Sequence, residues 1–266
     1  SIVDVDWVRP EGQLGHDAID EWTANAGVGR LLDAQRVDVI QPGGLNQAAI
    51  IRVQGPEIGM GLLEQAIESP GFIPNLGLWI QTDYILEPNS PLLRVVTTAT
   101  AREREVLIAP GDLMLASQEV GSTWSPETGL QVNDNLTKPF MGYQGYQNQL
   151  ALGIFPDKGR VFEASGMDVF SGLLDLASAF YGSETIPQGE QITWTRYYGA
   201  GPDLATLTDR WHDIQGIETE VVSGEVTAPD GTVAGARVNI LLDDLPYTFA
   251  VSDSDGRFSA TVPTGH

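Results

Sequence analysis

The chain contains 3 histidines, and His212 is the one placed for acid–base work. It lies in TDRWHD beside Asp209, Arg210 and Asp213. Such a cluster either forms an acid–base pair or is a solvated helix edge packed by Trp211. His16, His212 and His266 show neither H-x-H nor HExxH spacing, whereas a catalytic zinc takes about three protein ligands. No metal site and no cofactor is therefore expected. Cleaving a glycosidic bond requires two carboxyl groups about 5–9 Å apart, one protonated and one ionised. Asp83 in QTDYIL, Glu87, Asp112 in PGDLM and Glu163 in VFEASG are the acids that lie in or beside apolar strand-like stretches. An enzyme built on this chain would use such a carboxylate as base, with His212 or Arg196 polarising an oxygen. The catalytic candidates are thus His212, Arg196, Asp83 and Glu163, each with a structural role as its alternative.

Aromatic residues suggest binding. Trp79, Tyr84, Trp124, Phe140, Tyr143, Tyr146, Trp194, Tyr197 and Tyr198 fall in three stretches of strand and loop. Flat rings beside amides and carboxylates suit a sugar, stacking on its C–H face while polar groups take its hydroxyls. MGYQGYQNQ (141–149) has this character, with Tyr143 and Tyr146 interleaved with glutamines. The ligand-binding candidates are Trp124, Tyr143, Tyr146, Gln147, Trp194 and Tyr197. The alternative is that these rings plug the ends of a sandwich.

Other motifs fail. SDSDGRF (252–258) begins like a calcium loop, but an EF-hand starting at Asp253 needs Gly and Glu where Phe258 and Thr264 stand. Asp253 and Asp255 instead read as caps of a hairpin turn in which Gly256 supplies a positive φ, a surface cation being the alternative. GPEIGMG (55–61) lacks the G-K-[ST] of a phosphate loop. With 0 cysteines, disulfides and thiolate chemistry are excluded.

Composition sets the frame for these groups. The 266 residues carry 14 basic and 36 acidic side chains, a formal charge of −22. A field of that sign repels phosphate backbones, so no nucleic-acid partner is expected. An acidic, lysine-poor surface suits a salty or extracellular setting, and the expected location is secreted, periplasmic or cell surface. No stretch approaches the roughly 18 apolar residues that cross a membrane, so no membrane insertion is expected.

The elements that must hold these residues are mostly strands. AAIIRVQG (48–55), LGLWIQTDYIL (76–86), LLRVVTTAT (92–100), REVLI (104–108), LALGIF (150–155), GRVFEA (159–164) and QITWTRYYGAG (191–201) are short, β-branched or aromatic, and bounded by turn residues. Helical spacing of Ala18, Ile19, Trp22 and Ala26 predicts helical turns near the start, and 168–181 reads as partly helical. QPGG (41–44) reads as a turn and 116–148 as a long loop. DLATLTDRWHDIQG (203–216) predicts a helix with Leu204, Leu207 and Trp211 on one face and Gly216 as its stop. From Glu218 four short strands follow in quick succession. The expected organisation is a large β-sandwich over 1–217, with a partly helical N-terminus, and a small β-sandwich over 218–266. The fold class is all-β, with minor helices. The small unit stops where a further strand is expected, which reads as a segment of a longer polypeptide.

Residues 221 to about 265 resemble the carboxypeptidase regulatory-like domain. Gly224, Asp230–Gly231, Gly235–Ala236, Val238, Asp253, Gly256, Phe258 and Gly265 occupy its pattern, while Val233 and Ala234 replace its usual proline. The resemblance implies a transthyretin-like sandwich without catalysis. LWIQTDYILEPNSPLLRVVTTAT (78–100), IAPGDLMLAS (108–117) and ITWTRYYGAGPDLATL (192–207) resemble the β-rich region that precedes metallohydrolase domains of the polymerase-and-histidinol-phosphatase-like superfamily. They are also similar to the supersandwich of galactose mutarotase-like proteins. The histidine-rich metal motifs of that hydrolase class are absent, so the resemblance places any such activity after residue 266.

Three functions follow as expectations. The first is a non-catalytic accessory segment of a larger secreted bacterial protein, positioning glycan or cell-envelope material for a downstream domain. The second is a mutarotase-like or lyase-like carbohydrate enzyme. The third is a structural module of surface assembly through strand pairing.

Overall fold

The computed structural model describes residues 5–8, 14–19, 21–25, 31–58, 76–117, 123–130, 135–144, 150–169 and 174–265. Strands β1 (Val5–Val8), β2 (Leu14–Ile19), β3 (Glu21–Asn25), β4 (Leu31–Leu32), β5 (Arg36–Gly44) and β6 (Gln47–Ile58) open the chain. Next come β7 (Leu78–Leu86), β8 (Leu92–Ala101), β9 (Val106–Ile108), β10 (Gly111–Ser117), β11 (Thr123–Ser125) and β12 (Gly129–Leu130). They are followed by β13 (Asn135–Lys138), β14 (Met141–Gln144), β15 (Ala151–Pro156), β16 (Phe162–Val169), β17 (Leu174–Phe180), β18 (Glu184–Ile186) and β19 (Gln191–Gly201). Helix α1 (Leu204–Gln215) precedes β20 (Thr219–Glu225), β21 (Thr227–Ala228), β22 (Gly231–Thr232), β23 (Arg237–Leu242), β24 (Leu245–Val251) and β25 (Arg257–Pro263).

The expected all-β class is found: two large antiparallel sheets form a sandwich, with a smaller β unit beside it. One sheet has 10 strands and runs β12-β11-β14-β15-β19-β8-β7-β6-β4, with β5 also on β6. The other has 5, in the order β13-β16-β17-β10-β3. Period-two burial explains the packing. Along β8 every second residue from Val95 to Ala101 is buried, and β19 repeats this from Trp194 to Tyr198. Val95, Met141, Tyr143, Leu152, Ile154 and Tyr198 from the large sheet meet Phe162 and Ala179 from the smaller one. Burying each of the larger aliphatic side chains or Phe162 contributes about 1.5–3 kcal/mol.

α1 lies on the opposite face of the large sheet and has two working sides. Leu204 and Leu207 join Trp124, Phe140, Ala151, Phe155 and Phe249 in one cluster, whereas Ala205 packs with Ala250 and Ala260 of the small unit. With α1 on one face and the second sheet on the other, β15 is buried at every position. The helix ends are closed locally. Asp203 accepts from the Thr206 amide at its start, and Gly216, at φ 70°, donates to the His212 carbonyl at its stop.

The small unit consists of the pairs β20–β25, β23–β24 and β21–β22. Asp243 and Asp244, both at positive φ, turn β23 into β24, the double left-handed geometry of a tight hairpin. In the DSDG turn one Asp253 oxygen accepts from the Asp255 and Arg257 amides at 2.9 and 2.8 Å, and Gly256 has φ 76°.

Several expectations are corrected. The helical turns predicted around Ala18, Ile19 and Trp22 are strands β2 and β3, because β10 offers β3 a full ladder (Met114 opposite Trp22, Asp112 opposite Ala24) that local propensity cannot match. Residues 168–181 likewise hold β17 and the end of β16, paired from Glu163–Phe180 to Val169–Leu174. The turn expected at 41–44 is the end of β5, and the reversal falls at Leu45–Asn46. The long loop over 116–148 contains β11 to β14. Ala26, Tyr146, Gln147 and His266 lie outside the described residues.

Candidate functional site

The ionisable groups gather in three places. The first is the interior of the sandwich. β19 carries Arg196 and Tyr198 on its inner face, β8 sets Thr97 beside them, and β10 brings Asp112 from the facing sheet. Arg196 Nε donates to Asp112 at 2.7 Å and its Nη1 to Thr97 at 2.6 Å. The Tyr198 hydroxyl donates to the same Asp112 oxygen at 2.7 Å, and Thr97 also meets Thr82 at 3.1 Å. Arg196 and Asp112 are both 0 % exposed. Burial alone would discharge the guanidinium; the Asp112 carboxylate and Tyr198 outweigh it and hold the Arg196 pKa above its ordinary value. Burial, followed by the Asp112 charge, raises Tyr198. Among the described residues, Arg196 Nη2 and Trp194 Nε1 find no hydrogen-bond partner. Opposite charges in direct contact, closed off by both sheets, pin one sheet to the other and leave a substrate no room.

The second group joins α1 to the small unit. His212 Nδ1 meets Thr261 Oγ1 at 2.9 Å, His212 Nε2 meets the Tyr247 hydroxyl at 2.5 Å, and Thr261 Oγ1 donates to Asp209 at 2.5 Å. The proton order follows from the chain's end. An ionised Asp209 only accepts, so Thr261 donates to it and must accept from His212 Nδ1–H; Nε2 then accepts from Tyr247. Every partner is used once. Burial lowers the His212 pKa to about 4, which keeps the ring neutral as this order requires. Burial raises Asp209 against the opposing Thr261 bonds, and raises Tyr247, with Asp209 adding to it.

The third place is the pair of open cavities flanking the small unit. One, of about 360 Å³, lies between the β11–β12 hairpin and the β23–β24 hairpin, with Trp124, Arg237, Asn239, Pro246 and Phe249 on its walls. The Arg237 guanidinium carbon sits 3.8 Å above the centre of the Phe249 ring, and its Nε donates to Asn239 Oδ1 at 3.0 Å. The other, of about 580 Å³, is lined by Asp203, Glu225, Asp253, Arg257 and Phe258 among others. Asp203 is committed there: its oxygens accept from Thr206 and from the Val251 amide at 2.9 Å. No group of three or more potential metal ligands occurs among the described residues. None of their helices is long and apolar enough to cross a membrane.

The residues singled out from the sequence are dispersed, some over these places and others outside them. Asp83 is held by Arg52 through two bonds of 2.7 Å on the outer face of the large sheet. Glu163, at the start of β16, is exposed and faces Gly182. Arg196 and His212 occupy the two buried networks, which share no residue. Trp124, Tyr143 and Trp194 are only 2, 2 and 6 % exposed, so their rings pack mainly in the core, and of the three only Trp124 reaches the wall of the 360 Å³ cavity. Tyr197 is half-buried beside Asp157, which accepts from its hydroxyl at 3.4 Å. Sequence reading missed Arg237 and Asn239; the available signal was ARVNILL, where two polar groups alternate with apolar ones on a strand next to a tight turn.

No family model and no curated protein matches the chain. Among solved structures it is similar to the GH36 α-galactosidase AgaA (A355E) from Geobacillus stearothermophilus, at 10 % identity and a TM-score of 0.47 over 76 % of this chain and 32 % of that one. An α-galactosidase from Lactobacillus brevis aligns at 9 % identity and 0.44, over 79 % and 31 %. The Slr1438 protein from Synechocystis sp. PCC 6803 aligns at 9 % and 0.38, over 63 % and 66 %. This chain thus spans about a third of the α-galactosidases, and likeness at this level bears on neither substrate nor chemistry.

Proposed function

We propose that this chain is a non-catalytic accessory segment of a larger secreted, periplasmic or surface protein, where it binds glycan or cell-envelope material. The observation that carries the reading is a separation. Arg196 and His212 are spent in direct bonds inside the protein, and the 360 Å³ cavity beside Arg237 and Asn239 is open and has no pair of carboxylates among its described lining residues. In the 580 Å³ cavity Asp203 and Asp253 already accept from backbone amides, leaving Glu225 as the uncommitted acid. A carbohydrate hydrolase needs two carboxyl groups facing a space the size of its substrate; a binding module needs only shape, apolar surface and a few polar groups. The acidic composition agrees with this, since it suits a salty exterior. Screening the chain against immobilised glycans tests the proposal, with reducing-end release from the same glycans measured in parallel. Binding without turnover is expected; turnover would overturn it.

One observation favours the carbohydrate-enzyme reading: Asp209, its pKa raised by burial, is linked through Thr261 to a histidine. In that reading His212→Gln abolishes turnover while the protein remains folded. In the accessory reading the same change alters stability alone.

A further inference from the structure

The Arg237 cavity is unusual in its hydrogen-bonding polarity. Arg36, Arg52, Arg94, Arg160, Arg196, Arg210 and Arg257 all stand within 4.0 Å of a carboxylate. Among the described residues Arg237 has no such acid: its neighbours are the Phe249 ring and the Asn239 side chain. Arg102, which lies over Trp79, shares this lack but lines neither of the two cavities. In a chain with 36 acids against 14 basic residues, a guanidinium left without an acid on a cavity wall marks a place where the negative charge can come from outside. Arg237 is exposed at one side, and its partial desolvation lowers the pKa with no carboxylate of the described residues opposing the shift.

The groups around it fix what that outside charge must be. Asn239 Oδ1 is taken by Arg237 Nε, so what remains of the pair, the two Nη groups and the Asn239 NH2, can only donate. Thr248, on the same wall, accepts from Thr208 through its hydroxyl at 2.9 Å. Register places Asn239 opposite Phe249, so the donors share the face that turns toward Trp124 and the β11–β12 hairpin. Ile240, Leu241 and Pro246 supply apolar wall. Donors at one end and apolar surface along the side match a ring that bears an acid group. The volume of about 360 Å³ falls in the range of small-molecule sites.

We propose that this junction cavity binds a carboxylate-bearing sugar ring, the uronate residue of an acidic glycan. Arg237 takes the carboxylate through Nη1 and Nη2 in the planar fork–fork geometry, and Asn239 Nδ2 takes an adjacent ring or hydroxyl oxygen. The overall charge of −22 selects further: each additional anionic unit outside the cavity meets repulsion, so glycans with a single or terminal uronate bind better than long polyuronates. The proposal rests on the glycan-binding reading given above and narrows it.

The test is calorimetric titration of the whole chain with uronate-containing disaccharides (galacturonate, glucuronate and mannuronate) and with their neutral counterparts, repeated on Arg237→Met and Asn239→Ala. Methionine keeps an unbranched stem over Phe249 and removes the fork. Expected are a preference of at least about tenfold for one uronate, the worth of a charge-assisted pair, its loss in Arg237→Met, and a weaker but clear drop in Asn239→Ala. Should Arg237→Met fail to fold, Asn239→Ala decides alone. Equal affinity for uronate and neutral sugars overturns the carboxylate assignment and leaves glycan binding standing. Uronate binding undiminished in both variants overturns this cavity as the site. Absence of binding to either kind of sugar removes both the inference and the reading beneath it.

Discussion

Removing the Asp112 carboxylate tests the claim that the sandwich is pinned from within. In Asp112→Ala the Arg196 guanidinium, 0 % exposed, loses its counter-ion, and the Tyr198 hydroxyl loses the acceptor at 2.7 Å. Stranding one member of a buried pair costs about 3–5 kcal/mol, a fifth or more of the roughly 5–15 kcal/mol that holds a domain folded. The triple change Asp112→Leu, Arg196→Met, Tyr198→Phe removes both charges and the dependent hydroxyl together while roughly keeping volume. Thr97 retains Thr82 as a partner, so the triple variant is expected to be clearly more stable than the single one, recovering most of its loss. Guanidinium denaturation followed by tryptophan fluorescence reads both, since Trp194 lies two residues from Arg196. A single variant destabilised by less than about 1 kcal/mol, or a triple variant as unstable as the single one, would refute the argument. Either result means that water reaches the pair.

Further outcomes follow from the His212 network and from the Asp253 turn. The His212 pKa falls from 6.5 in the free side chain to about 4 in the fold, so the unfolded chain takes up the proton first; this contribution is complete above pH 6.5 and is lost as the pH drops toward 4. A plot of stability against pH should slope in that window and flatten in His212→Gln, with Asp209 opposing at the acid end because its raised pKa favours the fold once protonated. Asp253→Ala removes two bonds to backbone amides and should lower stability by about 1–2 kcal/mol, whereas millimolar calcium should leave the melting temperature of the parent chain unchanged.

Much of this architecture is legible from local pattern. α1 could be read from Leu204, Leu207 and Trp211 together with Gly216, because a helix closes its hydrogen bonds within its own segment. The hairpin at 252–258 was equally visible, since its geometry is set by Asp253 and Gly256 alone. The early strands were not. Ala18, Ile19 and Trp22 satisfy a helical period as well as a strand period, and only the ladder to β10 decides between them. Long-range pairing also hid the interior pin: Asp112 and Arg196 are 84 positions apart, and neither flank announces the other. His212 drew notice for its charged neighbours in sequence, yet its partners are Thr261 and Tyr247, which the small unit brings from 49 and 35 positions away. Arg237 escaped notice for the opposite reason, because its significance lies in the acid it lacks.

The position of Thr261 has a mechanical consequence. β25 runs antiparallel to β20, with Pro263 opposite Thr219, so tension applied at Thr264 would open that ladder like a zip, one rung at a time. Thr261 stands two rungs in and is moored sideways to Asp209 and His212 of the helix. Traction on this side of the molecule therefore stalls almost at once, and the load passes through α1 into the broad sheet behind it.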